Sequence, residues 1–319
     1  MLNNPILKTV SRLALVVYAL VLILVIISNL DLFGTNWPFE LFASFTQQLI
    51  ILFPLFFIIG LKYSGRFVPV VFMFGACAFW PFFTFSNYHK PSLDLCAANC
   101  VTVLFANMHS DPKALTDLKP IIDTYDPDII GMSEAPYGHD IKRLNSTLPQ
   151  YTFQANLTRD HSGKSLGSTL AIFSKDKILS QKVVIPESSG RHKRAVIKAQ
   201  INNISVVIGH PMIPISPKTT KQRNIVIDTM ADILKAETHF VIMGDFNMTP
   251  WGPMFTNLPG KRSHDPRWSI TWPANRPLLG IPIDHILVSE NLDVIDSKTL
   301  KKTSSDHHPI IMSVKLPAF

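Results

Sequence analysis

The sequence predicts an α/β domain preceded by three membrane-spanning helices, and three observations support this fold class. Long apolar runs are concentrated in the first ninety residues, although 47% of the 319-residue chain is hydrophobic. Beyond them, β-branched apolar runs alternate with amphipathic segments, which is typical of strands and helices that share a core. Several of these apolar runs end in acidic, amide or imidazole side chains.

The N-terminal segment, residues 1–90, is predicted to be a multi-pass membrane anchor. Its apolar stretches lie at about 13–30, 41–61 and 67–85, and none has a charged residue in its core. A spanning helix needs roughly 17–25 such residues. A cleavable signal peptide explains the first stretch less well, because no small-x-small cleavage site follows it promptly.

The charges that flank these stretches predict their orientation. Lys8 and Arg12 precede the first stretch, and Lys62 and Arg66 lie between the second and third, whereas residues 29–40 carry acidic charges and no basic ones. Because positively charged connections stay in the cytoplasm, we expect the N-terminus inside and everything after the third stretch outside the cytoplasm.

Residues 91–100 are predicted to be a linker to a domain of residues 101–319. Cys96 and Cys100 could pair in an oxidising compartment or stay as two free thiols, and their spacing fits both. Cys77 lies within the third apolar stretch and should pack there as a small hydrophobe. The three cysteines offer no zinc-ligand spacing.

The net charge of +7 is mild, and residues 101–319 carry +5 from 25 basic and 20 acidic residues. That balance suits an anionic substrate or a lipid surface, and it fits an ordinary basic protein surface equally well. It does not require a nucleic acid partner.

The domain begins with a β-branched strand, "CVTVLFANMHS", and a segment with helical spacing of Leu and Ile, "DPKALTDLKPIIDTY". A short apolar strand "PDIIGMSEA", a helix "DIKRLNSTL" and a strand "STLAIFSK" follow. "RAVIKAQINNISVVIGHP" predicts two strands joined by a hairpin at Asn202–Asn203. An amphipathic helix, "KQRNIVIDTMADILKAE", comes next. It precedes three strands, "HFVIMGDFN", "IDHILVS" and "HHPIIMSVKL".

Polar side chains lie at one end of six of these strands. They are Asn107, Glu134, His210, Asp245 with Asn247, Asp284 with His285, and Ser305 to His308. A single such residue would most often be a turn residue, but six are expected to converge at one edge of the sheets. Oxygen ligands of this kind suit Mg²⁺ or Mn²⁺.

The residues "NMHS", "DIIGMSEA", "GHP", "GDFNMTP", "IDHILVS" and "SDHHPI" occur in the order found in the endonuclease/exonuclease/phosphatase superfamily, which the chain resembles from about Cys100 to Leu316. The resemblance implies a four-layer α/β sandwich of two packed mixed sheets with outer helices. The N-terminal segment resembles that of membrane-anchored bacterial members, which implies a bacterial cytoplasmic membrane with the catalytic domain on its periplasmic side.

The resemblance also implies roles for the strand-end residues. Glu134 resembles the principal ligand of Mg²⁺ or Mn²⁺, with Asn107 and Asp306 beside it. The implied catalytic residues are His307 with its partner Asp284, His210 on the phosphate, and the pair Asp245 and Asn247 that positions water or phosphate. Which histidine is the base and which the acid stays open.

Other polar residues near these motifs receive weaker assignments. Arg191 and Arg194 are candidates for phosphate contact, although a solvated surface explains them as well. His308 occupies a variable position of the family pattern, and His285, at a position where other residues are common, is predicted to be structural.

The predicted function is a metal-dependent phosphoester hydrolase of phosphodiesterase or nuclease type. Its substrate could be a nucleic acid, or a phospholipid or small phosphodiester. A non-catalytic membrane receptor or scaffold is the alternative from another class, and it would be expected to have lost Glu134, Asp245 or His307, all of which are present.

Overall fold

The computed structural model describes residues 5–30, 37–63, 68–90, 99–136, 141–151, 153–159, 165–186 and 194–317. The helices are α1 Pro5–Asn29, α2 Phe39–Ser44, α3 Thr46–Tyr63, α4 Val68–Thr84, α5 Pro112–Tyr125, α6 Ile141–Ser146 and α7 Pro217–Leu234. The strands are β1 Cys100–Asn107, β2 Ile129–Ser133, β3 Phe153–Arg159, β4 Ser165–Ser174, β5 Ile178–Val184, β6 Val196–Ile201, β7 Ile204–Gly209, β8 Phe240–Asp245, β9 Lys261–Arg262, β10 Asp284–Val288, β11 Asp293–Thr299 and β12 Ile310–Lys315.

Within the described residues, the strands form two mixed sheets of six strands each. The first has the order β11-β12-β1-β2-β4-β3 and the second β5-β6-β7-β8-β10-β9. The pairs β1–β2 and β7–β8 are parallel, and the remaining pairs are antiparallel. The predicted hairpin is confirmed, since β6 and β7 pair from Ile201 and Ile204 outwards with Asn202 at φ +48°.

The two sheets pack face to face through an apolar core. Val103, Phe105 and Ile172 of the first sheet meet Ile208 and Met243 of the second. Helices α5 and α6 cover the outer face of the first sheet, and α7 covers the outer face of the second. The α/β sandwich with two packed mixed sheets is therefore confirmed.

Local sequence explains where the outer helices begin. Asp111 caps α5 by accepting a hydrogen bond from the backbone N–H of Lys113, 2.9 Å away. Ser216 and Thr219 form a capping box at the start of α7, so this helix begins at Pro217, ahead of the apolar periodicity that predicted it.

Four strands, β3, β5, β9 and β11, were not predicted. β11 alternates exposed and less exposed residues, and four consecutive residues of β5 are exposed. Strands β3, β5, β9 and β11 lie at the sheet edges. An edge strand with a solvated face does not need the continuous apolar run that marks a central strand.

The prediction of three spanning helices is corrected by the structure. Among the described residues, α1 alone is long and apolar enough to cross a membrane, and α3 and α4 are shorter apolar helices. The second apolar stretch is shortened because residues 39–44 form the separate helix α2. Helices α1, α3 and α4 nevertheless pack together around Leu15, Tyr18 and Phe53.

The N-terminal helices contact the α/β domain through polar and aromatic side chains. Buried Glu40 of α2 pairs with buried Arg223 of α7. The indole N–H of Trp251 donates to the carbonyl of Ala43 at 2.7 Å. Phe82 of α4 packs edge-on against the same indole, at 4.9 Å between ring centroids. The helices and the domain are thus joined by specific contacts as well as by the chain.

Several sequence predictions fall on residues outside the described ones: Arg66, Cys96, Arg191 and most of the linker at 91–100. Cys100 forms a disulfide bond, and Cys77 is a free thiol.

Candidate active site

Strand ends from both sheets converge on one cleft of about 240 Å³. Glu134 follows β2, and Asp306 and His307 precede β12, all in the first sheet. The second sheet contributes residues at the ends of β7, β8 and β10. The described residues that line the cleft are His109, Glu134, Arg194, His210, Ile213, Asp245, Asn247, Trp272, Ile283, Asp306 and His307.

Asp245, the last residue of β8, lies at the centre of this cluster. Its Oδ2 atom accepts a hydrogen bond from Asn107 Nδ2 at 2.9 Å. The same oxygen lies 3.4 Å from His210 Nε2 and 3.8 Å from His307 Nε2. One buried carboxylate therefore connects residues of both sheets with both candidate catalytic histidines.

The electrostatic surroundings keep Asp245 ionised. Burial alone would raise the pKa of this carboxyl, but hydrogen bonding to His210 and the positive charge of His210 and His307 outweigh it. The pKa of Asp245 is therefore lowered, and the group stays an ionised carboxylate near neutral pH.

Gly244 allows the neighbouring strand to approach closely, and Asn247 allows the chain to turn after Asp245. A Cβ on Gly244 would collide with the carbonyl oxygen of Gly209 in the neighbouring strand β7. Asn247 has φ +52°, its N–H donates to Asp245 Oδ1 at 3.0 Å, and its side-chain amide donates to the carbonyl of Pro211 at 3.2 Å. The side-chain amide of Asn247 is thus fixed at the rim of the cleft.

His307 and Asp284 form a buried pair at the floor of the cleft. Their Nδ1 and Oδ2 atoms are 2.8 Å apart, which fixes the ring so that Nε2 faces Asp245 and Asp306. Burial would lower the pKa of His307, but Asp284 first, and Asp245 and Asp306 in addition, raise it to about 10. The His307 imidazole therefore carries a proton on Nε2 as long as no other charge offsets that of these three carboxylates.

The backbone that presents Asp284 and His307 is held by two hydroxyl groups. Thr271 Oγ1 accepts hydrogen bonds from the N–H groups of Ile283 and Asp284 at 3.0 and 3.1 Å. Ser305 Oγ accepts from the N–H of His307 at 3.1 Å and donates to the carbonyl of Asn107 at 2.7 Å.

His210 is oriented by Ser168 and Arg194. Its Nδ1 atom lies 2.8 Å from Ser168 Oγ and 3.4 Å from Arg194 Nη1. These contacts hold the ring with Nε2 aimed at Asp245, 3.4 Å from Oδ2. Burial lowers the pKa of Arg194, while the charges of Glu134 and Asp245 oppose that effect.

Hard oxygen donors face the cleft beside these histidines. Glu134 has φ +47°, and its Oε1 lies 3.7 Å from His210 Nε2, beyond hydrogen-bond reach. Asp306 Oδ2 accepts from the indole N–H of Trp272 at 2.9 Å, whereas its buried Oδ1 has no hydrogen-bond partner among the described residues, with His109 Nδ1 3.2 Å away. An orphaned carboxylate oxygen among oxygen donors fits a hard cation.

The group Asp245, Asp284 and His307 is also close enough to hold an ion, since its ligand atoms lie within 4.8 Å of one another. However, Asp284 Oδ2 and His307 Nδ1 are already paired at 2.8 Å. Binding through those two atoms would break the pair, whereas Asp284 Oδ1 and His307 Nε2 take no part in it, so this group and the Glu134–Asp306 side of the cleft are both candidate positions for a cation.

The neighbouring histidines lie outside the cleft. His308 Nδ1 donates to the carbonyl of Leu300 at 3.0 Å. His285 is fully buried beside Arg262, with its Nε2 2.8 Å from the carbonyl of Met248, and burial lowers its pKa well below the usual value.

Four residues of the site were missed or given no role by sequence reasoning: Ser168, Thr271, Trp272 and His109. Each of them lies at the site because folding brings distant parts of the chain together. Ser168, for example, is 42 residues away in the chain from its partner His210. A single hydroxyl or indole in an ordinary segment carries no local signal of such a contact.

The profile of the Endonuclease/Exonuclease/phosphatase family matches residues 104–307. This range begins in β1 and ends at His307, so it contains the candidate site residues from Asn107 onwards. No curated protein matches the chain in sequence.

Solved structures with a similar fold cover the same part of the chain. An endonuclease/exonuclease/phosphatase from Beutenbergia cavernae is 16% identical with a TM-score of 0.55, over 69% of this chain and 72% of that one. One from Bacteroides vulgatus is 18% identical with a TM-score of 0.56, over 69% and 100%. The 3'-5' exonuclease NExo from Neisseria meningitidis is 18% identical with a TM-score of 0.56, over 68% and 100%.

Proposed function

Because the chain belongs to the endonuclease/exonuclease/phosphatase family, we propose that it hydrolyses a phosphoester in this cleft with the help of a divalent cation. The observation that carries the proposal is the buried His307–Asp284 pair, whose Nε2 atom faces a cluster of carboxylates at the ends of strands from both sheets.

The oxygen donors of Glu134, Asn107 and Asp306 would hold the cation, and they suit Mg²⁺ or Mn²⁺. Bound there, the cation would neutralise negative charge on the phosphoryl oxygens and on the carboxylates that raise the pKa of His307. The orphaned Oδ1 atom of Asp306 supports this assignment.

The side chains of the cleft suit attack of water on phosphorus. The water oxygen forms a bond to phosphorus, the bond from phosphorus to the leaving alcohol oxygen breaks, and that oxygen takes a proton. His307 and His210 both present Nε2 to the cleft, so one can take the proton of the water while the other donates to the leaving oxygen. Asp245 and Asn247 would hold the water and the phosphate between them.

Arg194 is placed to bind the phosphate. It lines the cleft beside His210, and its guanidinium can donate to phosphoryl oxygens. Arg191 is proposed for the same role from the sequence alone.

Solved relatives support a phosphoester substrate in general. One related structure is described as the 3' phosphatase NExo from Neisseria bound to product DNA hairpin, at 19% identity, a TM-score of 0.54, and 66% and 98% coverage. At this identity the similarity supports a shared fold and nothing more. The substrate class of the present chain therefore has to be inferred from its own residues.

We also propose that the N-terminal helices sit in a membrane, with α1 crossing it. The packed helices present an apolar outer surface: Leu13, Val17, Leu20, Leu55, Ile58, Phe72 and Trp80 are all exposed. Aromatic side chains, Trp37, Phe45 and Phe83, are exposed at the end that faces the α/β domain. Such aromatic residues are enriched where a membrane meets water.

The basic residues support a cytoplasmic N-terminus. Lys8 and Arg12 lie in the first turns of α1 and Lys62 in the last turn of α3, at the end away from the α/β domain. A C-terminal alkaline phosphatase fusion in bacteria is therefore expected to be active, because the domain would lie outside the cytoplasm. An inactive fusion made at normal levels would reverse this orientation.

The phosphoester proposal is tested on the full chain with a panel of phosphomonoesters, phosphodiesters, oligonucleotides and phospholipids. We expect turnover of at least one phosphoester class, lost in EDTA and regained with Mg²⁺ or Mn²⁺. If a folded preparation binds the cation but turns over nothing on the panel, a non-catalytic scaffold explains the chain better.

A further inference from the structure

Four exposed aliphatic side chains stand in two chain segments that also carry lining residues of the cleft, Ile213 in one and Trp272 and Ile283 in the other, and we call them the apolar rim. Ile213 lines the cleft and is 43% exposed, and Ile215 is 63% exposed. Leu278 and Leu279, in the short 3₁₀ helix Pro277–Leu279, are 75% and 53% exposed. Catalysis on a water-soluble substrate gives no reason for these four side chains to be apolar.

The segment that carries Leu278 and Leu279 touches the N-terminal helices. Gln48, in the first turn of α3, donates a hydrogen bond from Nε2 to the carbonyl of Gly280 at 2.9 Å. Ile281 then pairs with Trp272, and Ile283 lines the cleft directly before Asp284. Since a chain spans at most about 3.6 Å per residue, Asp284 lies within about 14 Å of the residue that touches α3.

This upper limit can be compared with the thickness of a lipid head-group layer. The hydrocarbon core of a bilayer is about 30 Å thick and the whole bilayer about 40–45 Å, which leaves roughly 5–8 Å of head groups on each side. With α3 starting at the surface of the hydrocarbon core, Asp284 lies at most about 14 Å from that surface, so the cleft is within reach of the head-group layer or just outside it. The exposed rings of Trp268 and Phe83 belong to the same region, where Trp268 packs 5.4 Å from Phe82 of α4.

The charges of the cleft argue against a nucleic acid. Proteins that bind nucleic acid neutralise several phosphates with Lys and Arg along a groove. Arg194 is the single Lys or Arg among the described residues that line this cleft. One guanidinium beside a cation site fits one phosphate group, with apolar surface next to it.

We propose that the substrate is the phosphoester of a membrane lipid, which enters from the bilayer while the apolar rim contacts its acyl region. This inference rests on the proposed hydrolase function and names its substrate class. Water adds to the lipid phosphorus, one P–O ester bond breaks, and the released alcohol keeps the bridging oxygen and gains a proton. The lipid stays partly in the bilayer, so the enzyme need not extract it.

The test uses the full chain reconstituted in phosphatidylcholine vesicles that contain phosphatidylglycerol and phosphatidylethanolamine. Phosphate and head-group release is compared with turnover of bis(p-nitrophenyl) phosphate and of a single-stranded oligonucleotide. The double variant Leu278→Glu, Leu279→Glu should lower the ratio of lipid to bis(p-nitrophenyl) phosphate turnover at least about tenfold, because charged side chains oppose contact with acyl chains.

The matched control is Leu179→Glu. Leu179 is 60% exposed and lies in β5, at the sheet edge opposite β9 and β10, so this change should leave the ratio as in the wild type. Lipid turnover with an unchanged ratio in the double variant would overturn the role of the rim, and oligonucleotide turnover without lipid turnover would overturn the lipid assignment. Both results keep the hydrolase function, whereas no turnover of any of the substrates removes the hydrolase function and the lipid inference together.

Discussion

Replacing His307 by Ala is expected to lower phosphoester hydrolysis by about 10²–10⁴-fold, the usual contribution of a positioned acid or base. The reason is geometric as well as electrostatic. Asp284 holds the ring at 2.8 Å, so Nε2 faces the carboxylates of Asp245 and Asp306 in the cleft. The measurement is the initial rate on the best substrate of the panel, at saturating cation, for variant and wild type.

The adjacent residue provides the control. His308 has the same chemistry, but its Nδ1 donates to the carbonyl of Leu300 and the ring lies outside the cleft. His308→Ala should therefore keep most of the rate, with thermal unfolding run on both variants to compare their folding. Equal rates for His307→Ala and the wild type would remove His307 from the mechanism.

Replacing Glu40 by Ala is expected to destabilise the full chain by about 3–5 kcal/mol, the usual cost of breaking a buried ion pair from one side. Glu40 is 4% exposed, and its partner Arg223 is fully buried. Without the carboxylate, the guanidinium keeps a charge that water cannot reach, with Asn224 Oδ1 as a remaining acceptor. The measurement is the free energy of unfolding in detergent micelles by denaturant titration.

An exposed ion pair is the matched control. Lys119 and Asp123 face each other at 3.0 Å on the outside of α5, with more than half of each side chain exposed. Asp123→Ala should cost about 0–1 kcal/mol. The double variant Glu40→Leu, Arg223→Leu should recover much of the lost stability, because it leaves no buried charge. A loss for Glu40→Ala as small as that of Asp123→Ala would contradict a tight junction between the helices and the domain.

The catalytic end of the fold could be predicted from the sequence because its signals are local. Apolar runs that stop at Asn107, Glu134, His210 or Asp245 identify both a strand and the polar group that it delivers. Strand pairing and the face-to-face packing of the two sheets then bring these groups together, as in the contact between Asn107 of the first sheet and Asp245 of the second, across 138 residues of chain. Convergence was expected from the number of such ends, and the structure supplies the distances.

The supporting residues could not be predicted in the same way. Thr271 holds the backbone of Asp284 with its hydroxyl, and Ser168 links the backbone of Glu134 to the ring of His210. Neither residue stands in a motif, and each acts through a contact that exists only after the sheets have formed. The edge strands could not be predicted for a related reason. They form because they pair with a neighbouring strand, and their own apolar content is too low to indicate a strand.

The N-terminal region shows that hydropathy alone does not predict the number of membrane-spanning helices. Counting apolar residues predicted three spans, but residues 39–44 form a separate helix whose Glu40 pairs with Arg223 of the domain. That contact takes the first residues of the second stretch out of any membrane helix and leaves α3 with Thr46, Gln47 and Gln48 in its first turn. An ion pair across 183 residues of chain cannot be read from local composition.

We propose that the cluster around Asp245 and His307 hydrolyses a phosphoester with a divalent cation. The most direct measurement is the rate of bis(p-nitrophenyl) phosphate hydrolysis by the full chain in Mg²⁺, after EDTA, and after Mg²⁺ or Mn²⁺ is added back. We expect turnover that disappears in EDTA and returns with the cation. A rate that EDTA leaves unchanged would contradict it.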